Sequence, residues 1–113
     1  MITIREGFFK GERKDEQALP LARARDKHWV GRRDFLDNLT KIQESKKVAC
    51  EALKGKSKCR CCGELNGNHE YSWKVGQVTF VWPEGLMHYV EAHNVRIGLA
   101  FQDFVTQVAA TIK

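Results

Sequence analysis

The spacing of apolar positions changes period along the chain, and those changes predict its elements. From Asp34, the apolar residues Phe35, Leu39, Ile42, Cys50 and Leu53 recur at near-helical spacing until Gly55 interrupts them. Residues three or four apart share one face of a helix. A helix over 34–58 is therefore expected, with Asp34 as its N-cap and Cys50 as a small core residue. The period then shortens to two. Tyr71, Trp73 and Val75 fall on one face of a first run, and Val78, Phe80 and Trp82 on one face of a second. Both runs have the aromatic and β-branched content of strands, and Gly76-Gln77 between them puts glycine first, as a type II′ hairpin turn prefers. The aromatic surface of this hairpin is expected to be core.

Pro83-Glu84 predicts the start of a further helix, since proline is tolerated in a first turn and a carboxylate favours the positive dipole end. Leu86, Val90 and His93 then share a stripe, with His88 to one side. Residues five apart in an ideal helix differ by about 140°. Both histidines can face one point only if the last turn distorts or ends near His93, and Asn94 suits a left-handed C-terminal position. A C-terminal helix over 97–113 is expected from the stripe Phe101, Phe104, Val105, Val108 and Ile112. Residues 1–16 lack a clear period and read as a strand-like start followed by a charged arm.

Candidate chemistry enters with the cysteines. Cys59, Cys61 and Cys62 lie within four residues, too close to cross-link distant elements, while Cys50 stands apart. A reducing compartment and a metal site explain them better than disulfides. Cys59-Arg60-Cys61-Cys62-Gly63 contains C-x-x-C-G, in which two thiolates reach one ion and glycine permits the tight turn beneath it. With His88 and His93 the pattern becomes C-x2-C-x25-H-x4-H, a Cys2His2 set with a long middle. Pairing of Cys59 with Cys61 remains open from spacing alone. The cofactor expected is one structural Zn2+.

Cys59-Arg60-Cys61-Cys62-Gly63, Asn66-Gly67, Glu70-Tyr71, Trp82-Pro83-Glu84-Gly85-Leu86, His88-Tyr89-Val90, His93 and Val95-Arg96 together resemble a pattern in small, mostly uncharacterised bacterial and phage proteins. The resemblance spans about residues 59–105. It implies Cys59, Cys62, His88 and His93 as ligands, and departs at Ile97-Gly98, where proline and a small polar residue are expected. It supplies a site and no activity.

Length and charge narrow the classes. The 113 residues, 42% hydrophobic and 29% charged, suit one domain with a modest core. No apolar run approaches the roughly 20 residues that span a bilayer. The opening MITIREGFFKGERKDE has charges where a signal peptide has its apolar stretch, so a cytoplasmic protein is expected, in a bacterial cell or in the host of a phage. Residues 1–58 carry 15 Lys and Arg against 9 Asp and Glu, whereas residues 59–113 carry 4 against 5. The cysteine-histidine half is therefore no basic reading head for a DNA groove. Positive charge gathers at Arg23, Arg25, Lys27, Arg32 and Arg33 around Trp29, and again over Lys54–Arg60. Basic groups beside an aromatic suit phosphate contact, and an acidic protein surface suits them equally.

Enzyme signatures fail on the letters. His69-Glu70-Tyr71-Ser72-Trp73 starts like H-E-x-x-H but ends in tryptophan, and the zinc deaminase, G-x-S-x-G and P-loop patterns are missing. A zinc-supported nuclease using His69 and Glu70 is the least favoured reading, because four protein ligands leave no open metal position. Glu91 is read as a solvated or supporting helix residue. The expectation is a small α+β protein, non-enzymatic: a basic N-terminal segment 1–33, a helix 34–58, a zinc-stapled ββα unit 59–96 and a C-terminal helix 97–113. It is expected to be a phage-encoded or defence-related regulator that binds a protein target, with nucleic-acid binding through the basic stretch as the alternative.

Overall fold

The aromatic hairpin forms the middle of a larger sheet. The computed structural model describes residues 2–9, 26–52 and 58–112. Among these, β1 (Ile2–Arg5), β2 (Ala49–Ala52), β3 (His69–Val75) and β4 (Val78–Pro83) form one sheet in the order β1-β4-β3-β2. With α1 (Arg32–Gln43), α2 (Leu86–His93) and α3 (Leu99–Ala109) they make a mixed α+β fold. β3 and β4 are antiparallel around Gly76, whose φ of 59° costs glycine nothing. β1 lies parallel to β4, with Ile2 opposite Val78, and β2 lies antiparallel to β3. No described helix is long and apolar enough to cross a membrane.

Register decides which face is core. Tyr71 is opposite Trp82, Trp73 opposite Phe80 and Val75 opposite Val78, so the alternate residues of both strands share one face. Phe80 stacks on Phe104 of α3 at 4.1 Å between ring centroids, and Trp82 meets Phe101 edge-on at 5.6 Å. From α1, Phe35, Leu36, Leu39 and Ile42 are buried in the same cluster. Each such side chain contributes about 1.5–3 kcal/mol of burial. Trp82 is fully buried, and its indole N–H donates to Gln43 Oε1 at 2.9 Å, joining the sheet to the last turn of α1. The helix-facing side of the sheet is the core.

Four local expectations are corrected. The helix expected over 34–58 ends at Gln43, and Ala49–Ala52 is a strand. Cys50 is exposed at the sheet edge, because the stripe Phe35–Leu39–Ile42 ends before a turn at Glu44–Val48. Leu53 and Gly55 lie outside the described residues. Helix α1 starts two residues earlier than expected, with Gly31 at the N-cap position, and Asp34 is in its first turn. Pro83 closes β4 opposite Glu70, and α2 starts only at Leu86 after Glu84-Gly85. Proline is accommodated at this strand end, where the ladder needs no further donor. The charged arm expected before residue 17 lies outside the described residues from residue 10 onward.

Candidate metal centre

The knuckle is a tight turn closed by backbone bonds. Lys58 bridges Leu65, Cys59 N–H donates to Glu64 O at 2.8 Å, and Gly63 N–H donates to Cys59 O at 2.9 Å. Gly63 carries φ of 77°, the left-handed conformation that such a turn asks of its glycine. Cys61 N–H donates to Cys59 Sγ at 3.4 Å. This turn puts Cys59 and Cys62 on one side, while the side chain of Cys61 packs against the core.

Helix α2 supplies the histidines and solves the angular problem by stopping. It ends at His93, and Asn94 adopts φ 54°, ψ 30° with its N–H on Tyr89 O; Val95 N–H also donates to Tyr89 O, at 3.2 Å. The His88 and His93 rings are then 5.0 Å apart between centroids. One ligand atom each from Cys59, Cys62, His88 and His93 lies within 4.8 Å of all the others, and Cys62 Sγ is 3.4 Å from His88 Nε2. Bond lengths of about 2.0–2.3 Å put the edges of a tetrahedral N/S site at roughly 3.3–3.8 Å. The donor set therefore fits a metal ion after small inward shifts. Cys59 is buried, His88 and His93 are half-buried and Cys62 is exposed, so the site lies at the edge of the core.

Electrostatics at the knuckle oppose a free Cys62 thiolate. The backbone N–H of Glu64 favours it, but desolvation and the neighbouring Cys59 outweigh that, and the Cys62 thiol lies above its ordinary value. A bound cation reverses this balance by holding the thiolate directly.

Supporting residues were not legible as such. Arg60 N–H donates to the Tyr89 hydroxyl at 2.7 Å, tying the knuckle to α2 between the two histidines. Burial pushes the Tyr89 hydroxyl up to about 12. Phe9 packs edge-on against the same ring at 4.6 Å. The His69-Glu70 pair, on which the nuclease reading rested, is divided. His69 Nδ1 bonds Glu84 Oε1 at 2.9 Å, and that oxygen also accepts Asn68 N–H at 3.0 Å and His69 N–H at 3.2 Å. Glu70 instead pairs with Arg5 across the sheet at 3.3 Å. Glu84 thus organises the loop before β3, where a helix-dipole role was expected. The Asn66 amide covers Gly85, where any Cβ would come within 2.5 Å of Asn66 Cγ. The motif residues Asn66 and Glu84-Gly85 are therefore an interlocking contact, for which the paired glycines Gly67 and Gly85 were the available signal.

The basic stretch is largely taken up by the fold. Asp26 accepts His28 N–H and pairs with Arg96 at 2.9 Å, and its own N–H reaches Asn94 O at 2.8 Å. Trp29, a candidate for partner contact, is instead a core residue, 9% exposed and packed on Phe35 at 5.3 Å. Arg32 directs its guanidinium to the last carbonyls of α2, Val90 O at 3.4 Å and Glu91 O at 3.3 Å, where a cation favours the helix dipole. Lys27 and Arg33 are exposed, with Arg33 3.7 Å from Asp37. Arg23 and Arg25 lie outside the described residues. Compared with protein-family models, curated proteins and solved structures, the chain gives no match.

Proposed function

We propose that the ion is zinc, held by Cys59, Cys62, His88 and His93, and that this zinc-stapled protein acts by binding a protein target. Two thiolates and two imidazoles are a tetrahedral, borderline-soft donor set that suits zinc, and four protein ligands leave no position for a substrate. The zinc supplies folding energy by fastening the knuckle to α2. The observation that carries the choice of partner is the use made of the basic stretch. Trp29 is in the core, and Arg32 and Asp26 are committed to the end of α2, so the expected phosphate-contacting surface loses its aromatic and part of its charge.

Nucleic-acid retention followed across a salt series tests this reading against its competitor. Phosphate contact gives sequence-independent binding that weakens steeply with salt, as counterions are released. The protein-binding reading predicts no retention on DNA or RNA at physiological salt, together with a discrete complex with a protein from its native host whose interface centres on apolar or aromatic anchors. Salt-sensitive retention that is lost when Arg23, Arg25, Arg32 and Arg33 become alanine, with zinc content unchanged, overturns it.

A further inference from the structure

A groove of about 470 Å³ runs between α1 and α3, lined by Trp29, Asp34, Phe35, Asp37, Asn38 and Gln102 among others. Its chemistry differs from that of the rest of the chain. The protein carries a net charge of +5, yet the lining holds two carboxylates and no lysine or arginine. Trp29 and Phe35, 9% and 5% exposed, form its floor with little ring surface showing. The Trp29 indole N–H, on a residue 9% exposed, faces Gly31 of the lining and has no acceptor among the described residues. The N–H is reached by water and is not sealed in the core, so an incoming acceptor exchanges with that water. Val30, 97% exposed, lies between Trp29 and Gly31, and Leu99, 69% exposed, lies one turn before Gln102 on α3.

We propose that this groove docks a lysine- or arginine-bearing segment of the protein partner; the inference rests on the protein-binding reading above. Each lining group has a counterpart in such a segment. A backbone carbonyl accepts the Trp29 N–H, and the cationic head lies between the carboxylates of Asp34 and Asp37. Its methylene stem lies along the floor of the groove. Arg33 already lies 3.7 Å from Asp37, but that pair is exposed and long, so it competes weakly. Asp34 has no ion pair among the described residues. The sign of the groove also repels phosphate, so a nucleic acid is the wrong ligand for it.

Nitrogen-15 NMR of the zinc-loaded chain reads the site directly, through the Trp29 indole N–H signal. Trp82, whose indole N–H is bonded to Gln43, is the internal reference. The probe is the capped peptide acetyl-Gly-Lys-Gly-Arg-Gly-amide, with an analogue carrying glutamate at both charged positions as control. The expected result is a saturable shift of the Trp29 signal with the basic peptide alone, weakened about tenfold or more in Asp34→Asn/Asp37→Asn. Both substitutions are on exposed positions of α1, and an unmoved Trp82 signal with unchanged zinc content shows that the variant is folded. No shift, an equal shift with the glutamate peptide, or undiminished binding by the double variant overturns the proposal. A protein complex that forms equally well with the double variant overturns the groove and leaves the protein-binding reading standing. Salt-sensitive retention on nucleic acid with no protein complex overturns that reading and this proposal with it.

Discussion

Tyr89→Phe isolates the link between the two halves of the candidate metal centre. The change deletes one hydroxyl and keeps the ring, so the 4.6 Å contact with Phe9 and the burial of the side chain are retained. What is lost is the 2.7 Å bond from Arg60 N–H. A neutral hydrogen bond is worth about 0.5–1.5 kcal/mol net, and a donor left without acceptor costs about 1–3 kcal/mol. Arg60 is at the surface, so water can reach its N–H, and the loss belongs near 1 kcal/mol. Folding of the knuckle onto α2 is coupled to metal binding in the proposed reading, so the loss is read out in metal affinity. About 1 kcal/mol corresponds to roughly a fivefold weaker zinc affinity. Competition against a chromophoric chelator measures this, with thermal unfolding of the loaded protein as the companion reading. If Tyr89→Phe leaves both zinc affinity and unfolding temperature at their wild-type values, the bond does not organise the site.

Asn94→Ala is expected to destabilise the protein by about 1 kcal/mol, because alanine pays a steric cost at φ 54° that asparagine largely avoids; Asn94→Gly should be close to neutral, and urea unfolding separates the two. Cys61→Ser and Cys50→Ser are both expected to keep one equivalent of metal by elemental analysis, since neither residue belongs to the tetrad, whereas Cys59→Ser loses it. The Glu84 carboxyl is held below its ordinary value of 4.5, first by its hydrogen bond from His69, so its contribution to stability is complete above that value and is lost as pH falls through its lowered one. Urea midpoints followed into that acid range should fall less in Glu84→Gln than in the wild type.

The periodic stretches were the legible ones. The alternation of Tyr71, Trp73, Phe80 and Trp82 gave the hairpin and its buried face, and the stripe from Phe101 to Val108 gave α3, because in both the pattern is set by local geometry. Four candidate ligands at C-x2-C and H-x4-H spacing pointed to the residues that the fold gathers, and Asn94 explained how two histidines five apart could converge. What sequence spacing cannot show is pairing across long separations. Ala49–Ala52 continues a helical pattern by letter but is a strand because β3 offers it a partner, with Cys50 opposite Tyr71. Trp29 read as an exposed aromatic among cations, yet contact with Phe35 buries it. The roles of Tyr89 and Glu84 depend on Arg60 and His69, 29 and 15 residues away, and no local rule connects them.

Thermal unfolding of the chain with one equivalent of zinc, and again after removal of the metal by a chelator, tests the central claim most directly. Structural zinc in small domains supplies on the order of 10–16 kcal/mol of apparent binding energy, which in the proposed reading is folding energy. The account predicts that the metal-free chain loses its cooperative transition or melts far below the loaded form, and that one equivalent of zinc restores it. An unfolding temperature unchanged by removal of the metal would contradict it.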